Sequence, residues 1–186
     1  STAKGGRISS YNTDAEFHGW DMWSRKYVLL GMQYFMEICE DEELNARLIE
    51  AQKKQVDYII SKVGTAEGKT PITKTSFLWK GLNSSSILEP IVRLYDLTGE
   101  QKYLDFATEI IKCGGVNGGN IFELAFQNEI DPYQYPVVKA YEMISCFEGL
   151  LEYYRITGDE KHLTAILNFA NKILESDFTV IGCCGC

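Results

Sequence analysis

Apolar positions along the chain fall into six helical stretches that alternate between two kinds of surface. Between residues 20 and 40, Trp20, Trp23, Tyr27, Leu30, Tyr34 and Ile38 recur at spacings of three and four, which predicts a helix. Val28, Leu29, Met32 and Phe35 widen its apolar face until little polar surface remains, as in a helix covered on most sides. Over 42–63 the pattern changes. Leu44, Leu48, Gln52, Val56, Ile59 and Val63 make one stripe, backed by Lys53, Lys54 and Asp57, so this helix turns one face to water. The alternation then recurs. Residues 84–98 carry Ile87, Leu88, Ile91, Val92, Leu94 and Tyr95 on more than one face, and 101–113 carry a narrower stripe of Tyr103, Leu104, Ala107, Ile110 and Ile111. Residues 136–156 are broadly apolar, and 160–175 return to a stripe of Leu163, Ile166, Leu167, Ala170, Ile173 and Leu174.

The alternation is an internal repeat. Each broad helix ends in a tyrosine-bearing turn followed by acidic residues, and the spacings are 61 residues from Tyr34 to Tyr95 and 59 from Tyr95 to Tyr154. Thr98-Gly99-Glu100 and Thr157-Gly158-Asp159 suit short hairpin turns. Glycine takes the left-handed position that ends one helix, and the acid favours the N-terminus of the next. A tetratricopeptide solenoid is the rival architecture, but its period of about 34 residues is far shorter. Inner helices joined to outer ones by short turns predict an all-α fold, an α/α toroid made of three helical hairpins. Three hairpins close only half of an (α/α)6 barrel. They leave an open apolar flank, through which the chain is expected to associate.

The links between hairpins are long, about 64–83 and 114–135, and links of that length are usually functional. Short strands are expected near 72–79 and 178–181. Gly114-Gly115-Val116-Asn117-Gly118-Gly119 follows a helix rather than a strand, so it reads as a flexible loop and not a phosphate cradle. Residues 1–17 read as an N-terminal extension or a cloning remnant, with the partial barrel domain spanning 18–186.

Charge and cysteine usage narrow the chemistry. The net charge of −8 argues against nucleic acid and anionic membrane surfaces, whereas a neutral sugar is not disfavoured. No apolar run is as long as a membrane span requires. Cys39, Cys113 and Cys146 stand singly in helical patterns and read as small buried hydrophobes. Cys183, Cys184 and Cys186 crowd together without a second ligand pair elsewhere, so no metal site and no cofactor is expected within this chain. Compartment is not legible.

In such a toroid the N-terminal ends of the inner helices and the long links surround one cavity, where helix ends offer free N–H groups. His18, Trp20, Asp21 and Trp23 map there from the first helix, and Trp79, Asn83, Ser84, Ser85, Ser86 and Glu89 from the second. The third contributes Tyr133, Gln134, Tyr135, Lys139 and Glu142. Rings that stack on C–H faces beside polar groups that bind hydroxyls suit a carbohydrate. Glycosidic cleavage needs two carboxyl groups flanking the bond, and Asp21, Glu89, Glu123 and Glu142 are the candidates. Plainer roles stand beside these. Glu89 can pair with Arg93 and Glu142 with Lys139 along a helix, and Asp21 can simply charge a first turn. Trp20 and Trp23 can be core, and the three serines an N-cap cluster.

Segments 81–90 through Thr98-Gly99, Tyr135 to Glu142 through Thr157-Gly158-Asp159, and Thr179 to Cys186 carry a likeness. They resemble the bacterial β-L-arabinofuranosidase-like glycoside hydrolases, long known only as a domain of unknown function. The likeness runs over residues 18–186. It implies an (α/α)6 barrel and retaining hydrolysis of arabinofuranosides. It also implies a zinc-bound cysteine as nucleophile and a glutamate as acid/base, both beyond Cys186, so that this chain contributes substrate contacts but is inactive alone. Cys183, Cys184 and Cys186 match a glycine-rich segment and not the zinc ligands. Ser86 and Pro136 stand where relatives place substrate-binding histidines, while Glu89 and Lys139 match, so the resemblance does not fix the glycan. A non-catalytic helical module binding a glycan or a protein is the alternative. So is another α/α-toroid enzyme acting on sugars, a lyase or an epimerase.

Overall fold

Glycine-ended turns organise the chain as its pattern predicts. The structure is a computed structural model that describes residues 4–182 and 184. Cys183 and Cys186 of the glycine-rich segment lie outside the described residues, as do residues 1–3. The helices are α1 (Asp21–Met36), α2 (Glu42–Lys62), α3 (Leu82–Ser85), α4 (Leu88–Thr98), α5 (Gln101–Lys112), α6 (Ile121–Gln127), α7 (Ala140–Thr157) and α8 (Glu160–Lys172). Gly99 and Gly158, at φ +66° and +67°, take the left-handed position after α4 and α7 and donate back to Tyr95 and Tyr154. Acidic residues start the returning helices: Asp41 accepts from Leu44 N at 2.9 Å, and Asp159 from Lys161 N at 3.0 Å.

Helices α1/α2, α4/α5 and α7/α8 form three hairpins, with α4 packed between α1 and α7. Burial separates inner from outer helices. Every residue from Gly81 to Val92 is buried, whereas α2 buries only Gln52, Gln55, Val56 and Ile59, and α8 only Ala165 and Phe169. The α4–α7 contact is close because Gly149 has no side chain. A Cβ there would lie 2.7 Å from Glu89 N and 2.8 Å from Leu88 Cβ. The chain is an all-α toroid fragment of three hairpins.

Several local expectations change. The second inner helix is broken into α3 and α4 around Ser86-Ile87, with Pro90, which lacks an N–H, in the first turn of α4. The third starts at Ala140 and not at residue 136, because the chain is extended both at Tyr135, which precedes Pro136, and at Lys139, the N-cap, at φ −87°, ψ 96°. The strand expected over 72–79 is instead two 3₁₀ turns, Ile72–Lys74 and Leu78–Gly81, and only an isolated bridge from Phe178 to Cys184 lies in the other region. The glycine-rich loop is ordered into a small antiparallel hairpin, β1 (Gly115–Val116) with β2 (Gly119–Asn120). It leads into α6, an unexpected helix whose first turn Asn120 caps at Glu123 N, 3.0 Å away. Helix α6 packs on α8, and its Phe122 meets Phe147 edge-on at 5.5 Å, while Phe147 stacks on Phe169 of α8 at 3.7 Å.

The N-terminal segment lies across α1 and α2. Ile8 exchanges two hydrogen bonds with the Gln55 side chain, at 2.5 and 2.8 Å. Arg7 pairs with Glu16 at 2.5 Å. Along α1, Tyr27, Val28, Tyr34 and Phe35 stay exposed. Among the described residues no helix is long and apolar enough to cross a membrane.

Candidate functional site

The inner helices bring one aromatic array to their N-terminal half. Trp20, at the N-cap of α1, lies 5.8 Å from the Trp23 ring and 5.1 Å from Trp79. Trp23 in turn meets Tyr27 at 5.3 Å and Tyr141 at 5.4 Å, every contact edge-on. The hydroxyls of Tyr27 and Tyr141 are hydrogen-bonded at 2.5 Å, joining α1 directly to α7. Burial, and then this bond, raises the Tyr27 phenol pKa. Trp79 reaches the array from the turn before α3, where both it and Lys80 hold left-handed backbones at φ +44° and +54°. Such conformations are uncommon for bulky residues and are often held where a site needs them. Two amines lie over the rings. Lys139 Nζ is 5.6 Å from the centre of Trp79, and Lys26 Nζ is 5.1 and 5.3 Å from Trp23 and Tyr27.

Beneath the rings is a floor of buried polar groups. Asn83 Nδ2 donates to Gly19 O at 2.8 Å, and Glu89 accepts from Tyr34 OH at 3.0 Å. Asn83 Oδ1, Ser84 Oγ and Glu142 Oε2 are buried with no hydrogen-bond partner among the described residues. Such groups are costly unless something external satisfies them. Lys26 is only 1% exposed, and no carboxylate among the described residues lies within 4.0 Å of its nitrogen. Burial lowers its pKa, opposed first by Glu89 and then by Cys146, Glu148 and Glu142. Burial likewise raises Glu89, against the Tyr34 hydrogen bond and the charge of Lys26.

Of the residues proposed from sequence, Trp20, Trp23, Trp79, Asn83, Ser84, Glu89, Lys139 and Glu142 converge on this array or its floor. His18 sits at the rim, its ring 4.9 Å from the exposed Phe77. Asp21 faces away. It is fully buried and accepts from Ser9 Oγ, Phe17 N and Arg25 Nε at 2.5, 2.8 and 3.1 Å. Ser86 folds its hydroxyl back onto Asn83 O at 2.7 Å, and Ser85 bonds Gly81 O. Tyr135 is buried in the core, its phenol pushed up to about 12 by burial and by nearby Asp131. Glu123 pairs with Lys161 at 2.7 Å on the outer side, away from the array. Neither helical pairing expected for the floor carboxylates forms as drawn: Arg93 pairs with Glu37, and Lys139 lies over Trp79.

Four contributors were not read as site residues from sequence: Lys26, Tyr27, Tyr34 and Tyr141. The signal was present in the ladder Trp20, Trp23, Tyr27, Tyr34, which keeps hydroxyls and rings on one side of α1.

The resemblance places its zinc ligands on none of these residues, and among the described residues no three His, Cys, Asp or Glu side chains converge as metal ligands. Cys146, beside Lys26, is a buried thiol donating to Leu82 O at 3.6 Å, and burial pushes its pKa up to about 12. A cavity of about 510 Å³ lies at the opposite ends of α1, α4 and α7, lined in part by Gln33, Arg93, Glu152 and Arg155. Its arginines are paired, Arg93 with Glu37 and Arg155 with Glu152.

Neither a curated protein nor a solved structure matches the chain significantly. A family model does, the β-L-arabinofuranosidase GH127 catalytic domain, over residues 21–186. That match takes in all three hairpins and every ring of the array but Trp20, which precedes it by one residue, and the chain belongs to this glycoside hydrolase family.

Proposed function

We propose that this chain forms a substrate-holding face of a glycoside hydrolase acting on arabinofuranosides or related neutral glycans. The observation that carries the reading is the array of Trp20, Trp23, Trp79 and Tyr141 over a floor whose buried oxygens lack partners. Rings of this kind pack on the C–H surface of a sugar, and unpartnered carboxylate and amide oxygens accept its hydroxyl protons. Family membership supports a carbohydrate substrate.

In this reading Glu89 and Glu142 bind hydroxyls and do not transfer protons. The resemblance assigns acid/base and nucleophile to a glutamate and a zinc-bound cysteine that are neither of these. The chain therefore binds and does not hydrolyse. Calorimetric titration with methyl β-L-arabinofuranoside tests the first half: binding is expected, weakened at least ~10-fold by Trp23→Ala, the loss of a stacked ring and its neighbours. Release of aryl alcohol from an aryl β-L-arabinofuranoside by the purified chain would overturn the second half.

A further inference from the structure

Among the described residues Lys26 is the one buried cation of the inner face, in a position where a helical lysine normally reaches water. Its ammonium lies against the faces of Trp23 and Tyr27, so its stem is packed and its position fixed. It faces Glu89, Glu142 and Glu148 without reaching hydrogen-bond distance of any of them. Glu142 is 2% exposed, and its Oε2 has no donor. An ammonium with no carboxylate within 4.0 Å and a buried carboxylate oxygen with no donor are thus held in one patch among the described residues. The buried oxygen without a donor costs free energy, and a group placed between it and the ammonium would recover that cost.

One kind of group answers both at once. A hydroxyl accepts from an ammonium and donates to a carboxylate in the same position, whereas a ligand carboxylate would meet Glu89, Glu142 and Glu148 together. Resting on the sugar-binding reading above, we infer that Lys26 is a specificity-determining residue that seats one sugar hydroxyl, which accepts from Lys26 Nζ and donates to Glu142 Oε2. The ligand it selects is a neutral sugar with a hydroxyl at that position. Glu89, already bonded to Tyr34, sets the local charge and keeps Lys26 attracted to the patch.

Deoxy sugars test this. The wild-type chain, Lys26→Met, Lys26→Arg and Trp23→Ala are titrated calorimetrically with methyl β-L-arabinofuranoside and its 2-, 3- and 5-deoxy analogues. A hydrogen bond to a charged group corresponds to roughly a ten-fold or greater preference for the parent sugar over the one analogue lacking the seated hydroxyl. Lys26→Met is expected to lose that preference by weakening the parent alone, with the analogue unaffected. The inference falls if Lys26→Met keeps the wild-type preference. If Trp23→Ala weakens binding but Lys26→Met does not, the sugar-binding reading survives and only the Lys26 role is lost. If the wild-type chain binds none of the sugars, both fail. Should Lys26→Met not fold, selective ¹³C-lysine labelling of the wild type, assigned with Lys26→Arg, decides instead. The Lys26 Cε resonance must shift at saturating parent sugar and not with the discriminated analogue, and an unmoved resonance overturns the inference.

Discussion

Arg25 and Lys26 are neighbours on α1, both cationic and both at most 1% exposed, yet their surroundings differ in kind. Arg25 turns to the outer side of the helix. It pairs with Asp21 and Glu16, each at 3.0 Å, and lies against the Phe17 and Tyr58 rings, with Nη1 alone lacking an acceptor. Arg7 and Tyr58 complete the shell around Glu16. Lys26 turns to the inner side, where the carboxylates stop short of it and one of them is itself without a donor. A cluster whose charges are paired holds a fold together. An unsaturated one is stable only because the packing around it is stronger than its own deficit, and it gains when a ligand arrives. Two cations, one position apart, thus divide into scaffold and candidate site.

The comparison breaks most easily at Arg25. Arg25→Met leaves Asp21 and Glu16 buried without their cation, a defect that costs about 3–5 kcal/mol. Urea unfolding monitored by circular dichroism measures it, and a loss under about 1 kcal/mol would contradict a scaffold role. Next in size is Gly149→Ala. Its methyl group would meet Glu89 N and Leu88 Cβ, and overpacking of this sort costs about 1–3 kcal/mol. An unchanged urea midpoint would mean that α7 can step back from α4 without loss.

Smaller effects separate the two clusters by pH. Burial alone would raise Glu16, but hydrogen bonds from Tyr58 and Arg7 and the charge of Arg25 outweigh it and hold its pKa low. Its stabilising contribution is therefore present above the ordinary carboxylate range and lost as pH falls. Glu89 runs the other way: its raised pKa gives a contribution present at low pH and lost as pH rises through the raised value. Glu16→Gln should lower the urea midpoint at pH 7 far more than at pH 3. Glu89→Gln should raise it at pH 7 and leave it nearly unchanged at pH 4. Matching profiles for the two variants would erase the distinction. The smallest shift belongs to Lys26→Met, expected within about 1 kcal/mol of wild type in either direction, because a partnerless charge is replaced by an apolar stem of similar length.

Much of the scaffold side was legible in the sequence. The single stripes over 42–63 and 101–113 and the turns at Gly99 and Gly158 follow from local periodicity and backbone chemistry, and they appear in the structure within a residue or two. Helix α6 was not, because Ile121–Gln127 is too short for its periodicity to stand out from a glycine-rich link. The site divides in the same way. Trp20, Trp23, Glu89 and Glu142 stand near predicted helix starts, where function is sought. Lys26 stands in the second turn of a helix, where a lysine normally reaches water, and only the approach of α4 and α7 buries it. Tyr34 and Tyr141 likewise gain meaning from partners 55 and 114 residues away, Glu89 and Tyr27. Burial of that origin leaves no mark on local sequence.

The array has one further property. The chain has 3 tryptophans in all, Trp20, Trp23 and Trp79, and every one belongs to that array. Indole emission from the unlabelled protein therefore originates wholly at this array. It carries no background from the outer helices, whose aromatic residues are tyrosine and phenylalanine. The molecule has been supplied by its own composition with an optical reporter confined to one place.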